Sequence, residues 1–421
     1  MPIKNMHPTS SSIVVGGGLV GLACAINLQA RGVQTSLVDP AGPQRPASWG
    51  NAGHIAVEQV EPLASMATVK SFPRRLFWRG GALGLPLRDI AAWLPFSLRL
   101  LAAARPSRFR AGKAALSAVL AEAIPAWRRL LGAAESRHLM VEDGHYIVWE
   151  SEASAARGRA AWMGADTGPA SCRDVTDAEM ESLTGVIGFR PAGAIRFEGS
   201  GQITDLGVLA ETLERHFEAL GGRRVRGSVK LLRRGSKTIS VVTDTNETLV
   251  AETVVVAAGA ASGELMAPLG FKVPIIAERG YHIQTPNTQW PEGMPPVVFE
   301  DRSMIVTRFR SGLRAASFVE FGRLKSPPDP RKWARLKAHV RALGLSFGEP
   351  VSEWTGARPT LPDYLPAIGR ADSFPGLYYA FGHQHLGLTL AAVTGEAIGA
   401  LVTGETPVVN ISPFSLDRFR K

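Results

Sequence analysis

The run Gly16-Gly17-Gly18-Leu19-Val20-Gly21 constrains this chain most, because it sits between a short β-branched stretch and a long apolar one. Ser12 to Val15 reads as a strand, Leu19 to about Arg31 as a helix, Gly32 as its C-cap, and Thr35 to Val38 as a second strand. Together they form a βαβ unit whose turn matches G-x-G-x-x-G. Gly16 permits the tight turn, Gly18 lets a pyrophosphate approach the backbone, and Gly21 lets the helix pack on the strand. Leu19 and Val20 open the helix, where N–H groups face phosphate oxygens. Asp39 closes the second strand about 23 residues after Gly16, the place where an acid binds ribose hydroxyls. The motif predicts a dinucleotide site and leaves NAD and FAD both open.

A length of 421 residues implies two or three folding units. Hydrophobic residues at 45% and charged residues at 20% make long disorder an unsuitable reading. The formal net charge of +10 suits an anionic cofactor, an anionic substrate or an acidic membrane surface. With no nucleic-acid motif, no nucleic-acid partner is expected. The two cysteines, Cys24 and Cys172, form no C-x-x-C, which excludes a redox disulfide and a zinc site built on cysteine pairs. No metal site is expected. Met1 to Ser12 is polar and lacks the apolar core of a secretory signal, and no run of about 20 apolar residues appears. The expected compartment is the cytoplasm, with peripheral contact at the inner face of the membrane as an extension.

Further along, residues 71–110 are basic, aromatic and apolar by turns, as in Phe72-Pro73-Arg74-Arg75-Leu76-Phe77-Trp78-Arg79. This stretch reads either as an interfacial segment or as helices packed on the core. Long helical stretches follow through Arg159, interrupted by a strand around Gly144 to Trp149. A helix capped by Asp205 runs to Leu220, with Leu206, Leu209, Leu213, Phe217 and Leu220 on one face. Strands follow at Arg223 to Val225, Thr238 to Thr243, Leu249 to Ala251 and Thr253 to Ala257. Ile275 to Thr285, Val297 to Phe299, Met304 to Thr307 and Leu313 to Phe318 form an antiparallel set. A charged helix from about Pro330 to Leu343, a strand at Leu377 to Ala380 and an apolar helix at Leu388 to Val402 complete the chain.

Four blocks together resemble the D-amino-acid-oxidase-like flavoprotein superfamily, most closely its D-amino-acid dehydrogenase small-subunit branch, over nearly the whole chain. The glycine turn with Asp39 is the first. The second, Ser48-Trp49-Gly50-Asn51-Ala52-Gly53-His54, is similar to the S-x-x-N-A-G segment whose backbone passes beside the flavin ring. The third is Val254-Val255-Val256-Ala257-Ala258-Gly259, a buried strand near the adenosine half, with Val229 as the backbone contact to adenine. The fourth joins Gly356-Ala357-Arg358-Pro359 to Gly382-His383-Gln384-His385-Leu386-Gly387-Leu388-Thr389, a second glycine-rich helix start. A helix N-terminus there suits the negative charge that reduction builds on the flavin. The resemblance implies FAD as the cofactor.

It also implies a fold: a Rossmann-like FAD-binding domain interleaved with an α+β substrate domain on a mixed, largely antiparallel sheet. The FAD-binding parts are residues 1–60, 200–272 and 355–421, and the substrate parts 61–199 and 273–354. In relatives the arginine of the fourth block clamps the substrate carboxylate, which assigns Arg358. Tyr281 or Arg279, on a strand of the second sheet, completes the clamp, with one of the two facing the ligand. His54 falls where relatives place a polar residue facing the substrate, or else supports the site from behind. The implied reaction is hydride transfer from Cα of a small D-amino or imino acid, such as a D-proline or hydroxy-D-proline type, to flavin N5. Electrons would pass to a quinone or a redox partner protein. Two rivals share the scaffold: a secondary-amine oxidase of the sarcosine or glycine type, and an electron-relay subunit without turnover of its own. A pyridine-nucleotide disulfide reductase does not fit, since a second complete G-x-G-x-x-G and a C-x-x-C are both missing.

Overall fold

The computed structural model describes residues 11–40 and 46–420; the first ten residues of the polar start lie outside them. The strand Ser11–Val15 lies at the centre of a six-stranded sheet. On one side it pairs in parallel with Gln34–Asp39, which pairs with Arg223–Arg226. On the other it pairs in parallel with Thr253–Val256, then Leu377–Phe381, and the sheet ends on an antiparallel edge strand, Ala367–Arg370. Three widely separated stretches of chain thus build one sheet.

Both faces of this sheet are covered, as parallel strands require. Val14 and Leu37 point into a core shared with the helices Leu19–Ala30, Leu206–Ala219 and Gly387–Thr403. Ile13, Val15 and Val38 point the other way, onto the three-stranded antiparallel sheet Val229–Arg234, Ile239–Thr243 and Thr248–Ala251. The Asp205 carboxylate accepts from Gly207 N and Val208 N, the expected cap.

The last helix is long and apolar enough, by composition alone, to cross a membrane, yet 72% of that window is buried inside the fold. It is a core helix. It lies against the first helix at small residues: a Cβ on Gly395 would stand 2.6 Å from Ala23 O. Trp127 Nε1 donates to Leu388 O at 3.0 Å and pins the start of the same helix.

The second large sheet is mixed and mostly antiparallel. Its order runs Ser352–Thr360, Ile276–Thr285, Gly312–Gly322, Met304–Phe309, Val297–Phe299, His145–Trp149, Gly193–Glu198 and Ser171–Asp174, with Leu83–Gly84 beside Gly312–Gly322. One face packs Tyr281, Ile283, Val306 and Leu313 against the helix Pro330–Ala342 through Leu336 and Val340. The opposite face, carrying His282, Arg314, Ala316, Ile305, Val298 and Ile147, turns toward the first sheet and bounds a cavity between them. The strand Ser352–Thr360 was not anticipated as an element. It is an edge strand that tolerates Pro359, so its composition resembles a loop.

Candidate active site

A single cavity of about 2450 Å³ lies between the two sheets. Pockets for one drug-sized ligand span roughly 300–1,000 Å³, so this space accommodates a dinucleotide together with a small substrate. Its wall includes Gly16, Gly18, Val20 and Asp39 from the first block, and Ser48, Asn51, Ala52 and His54 from the second. Val229, Ala258 and Gly259 line it from the middle of the chain, and Arg358, His383, Gly387 and Leu388 from the end. The N-termini of the first and last helices therefore meet at one cavity, although they lie more than 360 residues apart.

The glycine turn is built for close contact. Gly17 N donates to Asp39 Oδ1 at 2.7 Å, so the acid braces the turn while also facing the cavity. Burial pushes the Asp39 carboxyl up, and the Gly17 N–H partly offsets this. A Cβ on Gly21 would stand 1.9 Å from Gly16 O, which forces a glycine where the helix meets the turn. Leu19 faces the core and contributes only its N–H, donated to Ser48 Oγ at 3.3 Å.

Residues 47–56 form a strap along the cavity, held at the carbonyls of Trp49, Gly50, Asn51 and Gly53. Gly53 N donates to Asn51 Oδ1 at 2.8 Å, and Ile203 N donates to Gly53 O at 2.8 Å. Arg314, buried, donates to Trp49 O at 3.4 Å and to Asn51 O. Burial lowers the Arg314 guanidinium to about 10. His282 Nδ1 donates to Gly50 O at 3.0 Å while its ring stacks on Trp354 at 4.8 Å. Burial, aided by Arg314, pushes His282 down to about 3, so it stays neutral. Ala56 N donates to Thr389 Oγ1 at 2.9 Å, tying the strap to the last helix.

Arg358 reaches the cavity part-exposed, and its Nη1 donates to Glu278 Oε1 at 3.4 Å and to Phe318 O at 3.3 Å. Glu278 is buried behind it and also accepts from Thr360 Oγ1 at 2.9 Å and Tyr364 OH at 3.1 Å. Phe318 has φ +66, a conformation that is a genuine outlier for a bulky residue. It belongs to a β-bulge opposite Gly280, and the bulge turns its carbonyl to Arg358. A Cβ on Gly280 would stand 2.5 Å from Arg358 Nη2, so the guanidinium lies directly over that glycine.

Arg279 and Tyr281 border the cavity but lie on the opposite strand face from Arg358, away from its guanidinium. Residues two apart on a strand share a face, and Arg358 stands opposite Glu278 on the other face. Arg279 is buried in an ion pair with Glu320 and donates to Pro327 O at 3.1 Å. Tyr281 OH donates to Glu320 Oε1 at 3.0 Å, and Lys332 closes the cluster on Glu320. Leu386, which caps the last helix, and Thr389 within it are buried and their side chains do not line the cavity. Gly53 and Gly382, with φ +78 and +80, act as turns beside the cavity wall. His383 is buried against Thr394, its Nε2 and the Thr394 Oγ1 3.0 Å apart, and burial holds it down at about 3.

His54, singled out in the sequence, lies on the cavity wall, but its partners Glu58 and His145 escaped the sequence. His54 Nε2 and Glu58 Oε1 are 3.0 Å apart on the cavity wall, and the His145 ring meets His54 edge-on at 4.4 Å. Burial raises the Glu58 carboxyl, but His54 beside it outweighs this and holds Glu58 at about 2, ionised. Burial pushes His145 down to about 3. His54 Nδ1 and Glu58 Oε2 have no hydrogen-bond partner among the described residues. His385 Nε2 bonds Gln59 and feels both Arg358 and Glu58, so it stands between the two charges.

A parallel sheet with a glycine turn, faced across a large cavity by a mixed sheet, defines a dinucleotide-binding enzyme of two interleaved halves. The chain belongs to the family described as DAO, FAD dependent oxidoreductase, which it matches over residues 12–401. It is 31% identical over 417 residues to a D-amino-acid oxidase of Bradyrhizobium diazoefficiens, covering 96% of this chain and 98% of the relative. It is 28% identical to D-amino acid dehydrogenase 2 of Ralstonia nicotianae, over 96% and 99% of the two chains. Glycine oxidase of Geobacillus kaustophilus superposes with a TM-score of 0.71 at 20% identity, over 97% and 99% of the chains. The protein is an FAD-dependent oxidoreductase with the fold of this family.

Proposed function

We propose that the protein oxidises a small D-amino or imino acid and passes the electrons to a quinone or a redox partner protein. One observation carries this reading: Arg358 faces the cavity with a buried carboxylate, Glu278, fixing it from behind. A guanidinium so held presents its fork to a carboxylate. The names of the Bradyrhizobium and Ralstonia relatives support a D-amino acid as the substrate.

On this reading FAD is held by the glycine turn and Asp39 at its adenosine and phosphate end, with Val229, Ala258 and Gly259 beside the adenosine. The strap at residues 47–56 and the helix start at Gly387, which line the same cavity, would enclose the flavin ring. Bound FAD supplies the acceptor for a hydride leaving the substrate Cα. Arg358 holds the carboxylate, and the bulge carbonyl of Phe318 keeps the guanidinium from rotating. His54 and Glu58 place a buried carboxylate on the cavity wall that attracts the substrate ammonium group, and the ammonium proton passes to solvent before hydride loss, because the lone pair must be free to assist. The apolar sheet face at Ile147, Val298 and Ile305 excludes water. The imine formed then hydrolyses in solution. The cofactor-binding half comprises residues 1–60, 200–272 and 355–421.

The test is anaerobic mixing of the holoprotein with D- and L-amino acids and D-imino acids. Loss of flavin absorbance with D-enantiomers alone is expected, and bleaching by L-amino acids alone would refute the assignment. The oxidase name of the Bradyrhizobium relative favours a second reading, in which oxygen is the acceptor. Peroxide formed at the rate of substrate loss in air would establish it.

A further inference from the structure

The helix Ile90–Ala103 is apolar on two opposite faces. Its inner stripe, Trp93, Phe96 and Leu100, packs on the substrate sheet, with the Phe96 ring 5.2 Å from Phe321. Its outer stripe, Ile90, Leu94, Leu98 and Leu101, continues the turn at Leu87 and is exposed. A helix apolar all round is normally buried, yet Leu87 is 81% exposed and Leu98 60%. In the preceding stretch of chain Trp78 is 72% exposed, with the Arg79 guanidinium 5.5 Å above its ring.

The charge of this stretch of chain has one sign. Residues 66–110 hold nine cationic side chains and a single carboxylate, Asp89, against a net charge of +10 for the whole chain. Asp89 is buried. Among the described residues only Arg88 of the nine lies within ion-pair distance of a carboxylate, Asp89, at 3.9 Å. Arg74, Arg75, Arg79, Arg99, Arg105 and Arg108 are exposed without an acidic partner among them.

We infer that this face docks on an anionic lipid bilayer, with the outer stripe and Trp78 in the acyl boundary and the arginines among the headgroup phosphates. An exposed apolar stripe flanked by cations and an interfacial Trp is the composition such a surface requires. A second copy of the chain does not suit it, because the two faces would bring like charges together. Leu94, Leu98, Leu101 and Phe72 also line the catalytic cavity, so its mouth opens at the bilayer surface. A lipid-soluble acceptor of the proposed reaction is then within reach. Docking itself does not depend on turnover.

The test is flotation of the FAD-loaded protein with vesicles of phosphatidylglycerol or of phosphatidylcholine. Binding to the anionic vesicles should be roughly tenfold or more above that to the neutral ones at low salt, and fall as salt rises. Trp78→Glu with Leu87→Glu should remove it, with FAD content retained. Arg105→Gln with Arg108→Gln, which leaves the apolar stripe intact, should weaken binding to the anionic vesicles alone. No binding to phosphatidylglycerol, or full binding by both variants, overturns the inference. So does a dimer by light scattering that the Trp78→Glu, Leu87→Glu variant splits, since a second copy would then own the face.

Discussion

Replacing Arg358 with alanine tests the clamp in quantitative terms. The side chain has two partners, the Phe318 carbonyl and Glu278, and its remaining donors face the cavity. In the variant Glu278 keeps Thr360 and Tyr364, so the buried carboxylate remains partnered and the fold should survive. The lost interaction is a two-pronged, charge-assisted contact to the substrate carboxylate, at about 1.5–3 kcal/mol per hydrogen bond. A net loss of about 3–4 kcal/mol corresponds to a fall of roughly 10²- to 10³-fold in kcat/KM. The assay is stopped-flow reduction of the flavin without oxygen, across substrate concentrations. Arg358→Lys should recover about tenfold, since it restores a charge without the fork. An alanine variant that holds FAD and reduces with unchanged concentration dependence would remove Arg358 from the site.

Three other outcomes follow from the geometry. Arg314→Ala frees the carbonyls of Trp49 and Asn51 and should weaken FAD by roughly 10- to 100-fold, read by flavin fluorescence on dilution; an unchanged dissociation constant would show that the strap holds without it. Gly395→Ala forces a Cβ against Ala23 O and should cost about 1–3 kcal/mol and lower Tm; an unshifted Tm would mean that the two helices do not bear on each other there. His145, His282 and His383 are held neutral by burial, at about 3 against an ordinary 6.5. These three side chains therefore bind three more protons in the unfolded chain than in the native one across that window. Stability should rise with pH through it and be lost as pH falls below 6.5, at up to about 4 kcal/mol per pH unit. Urea midpoints flat across the window would contradict this.

What was legible in the sequence was local. The glycine turn, the Asp205 cap and the amphipathic helix behind it depend on neighbours within a few residues, and all three stand where they were expected. The clamp strand was different. Ile276–Thr285 is buried along nearly its whole length, so no alternation of polar and apolar residues marks which side faces the ligand. Arg279 and Tyr281 carry the more reactive side chains, yet Glu278 and His282 share the face of Arg358. Arg314 and Trp354 hold the strap from strands about 260 and 300 residues away, and no spacing rule encodes such pairings. The His54 and Glu58 pair became visible only once the chain past the strap folded back on the sheet, placing His145 beside it.

Flavin stoichiometry of the purified protein is the most direct check that both helix starts converge on one cofactor. Absorbance, with the nucleotide identified after acid release or on the polypeptide, should give one FAD per chain. A colourless chain that takes up no FAD on reconstitution would contradict the account at its root.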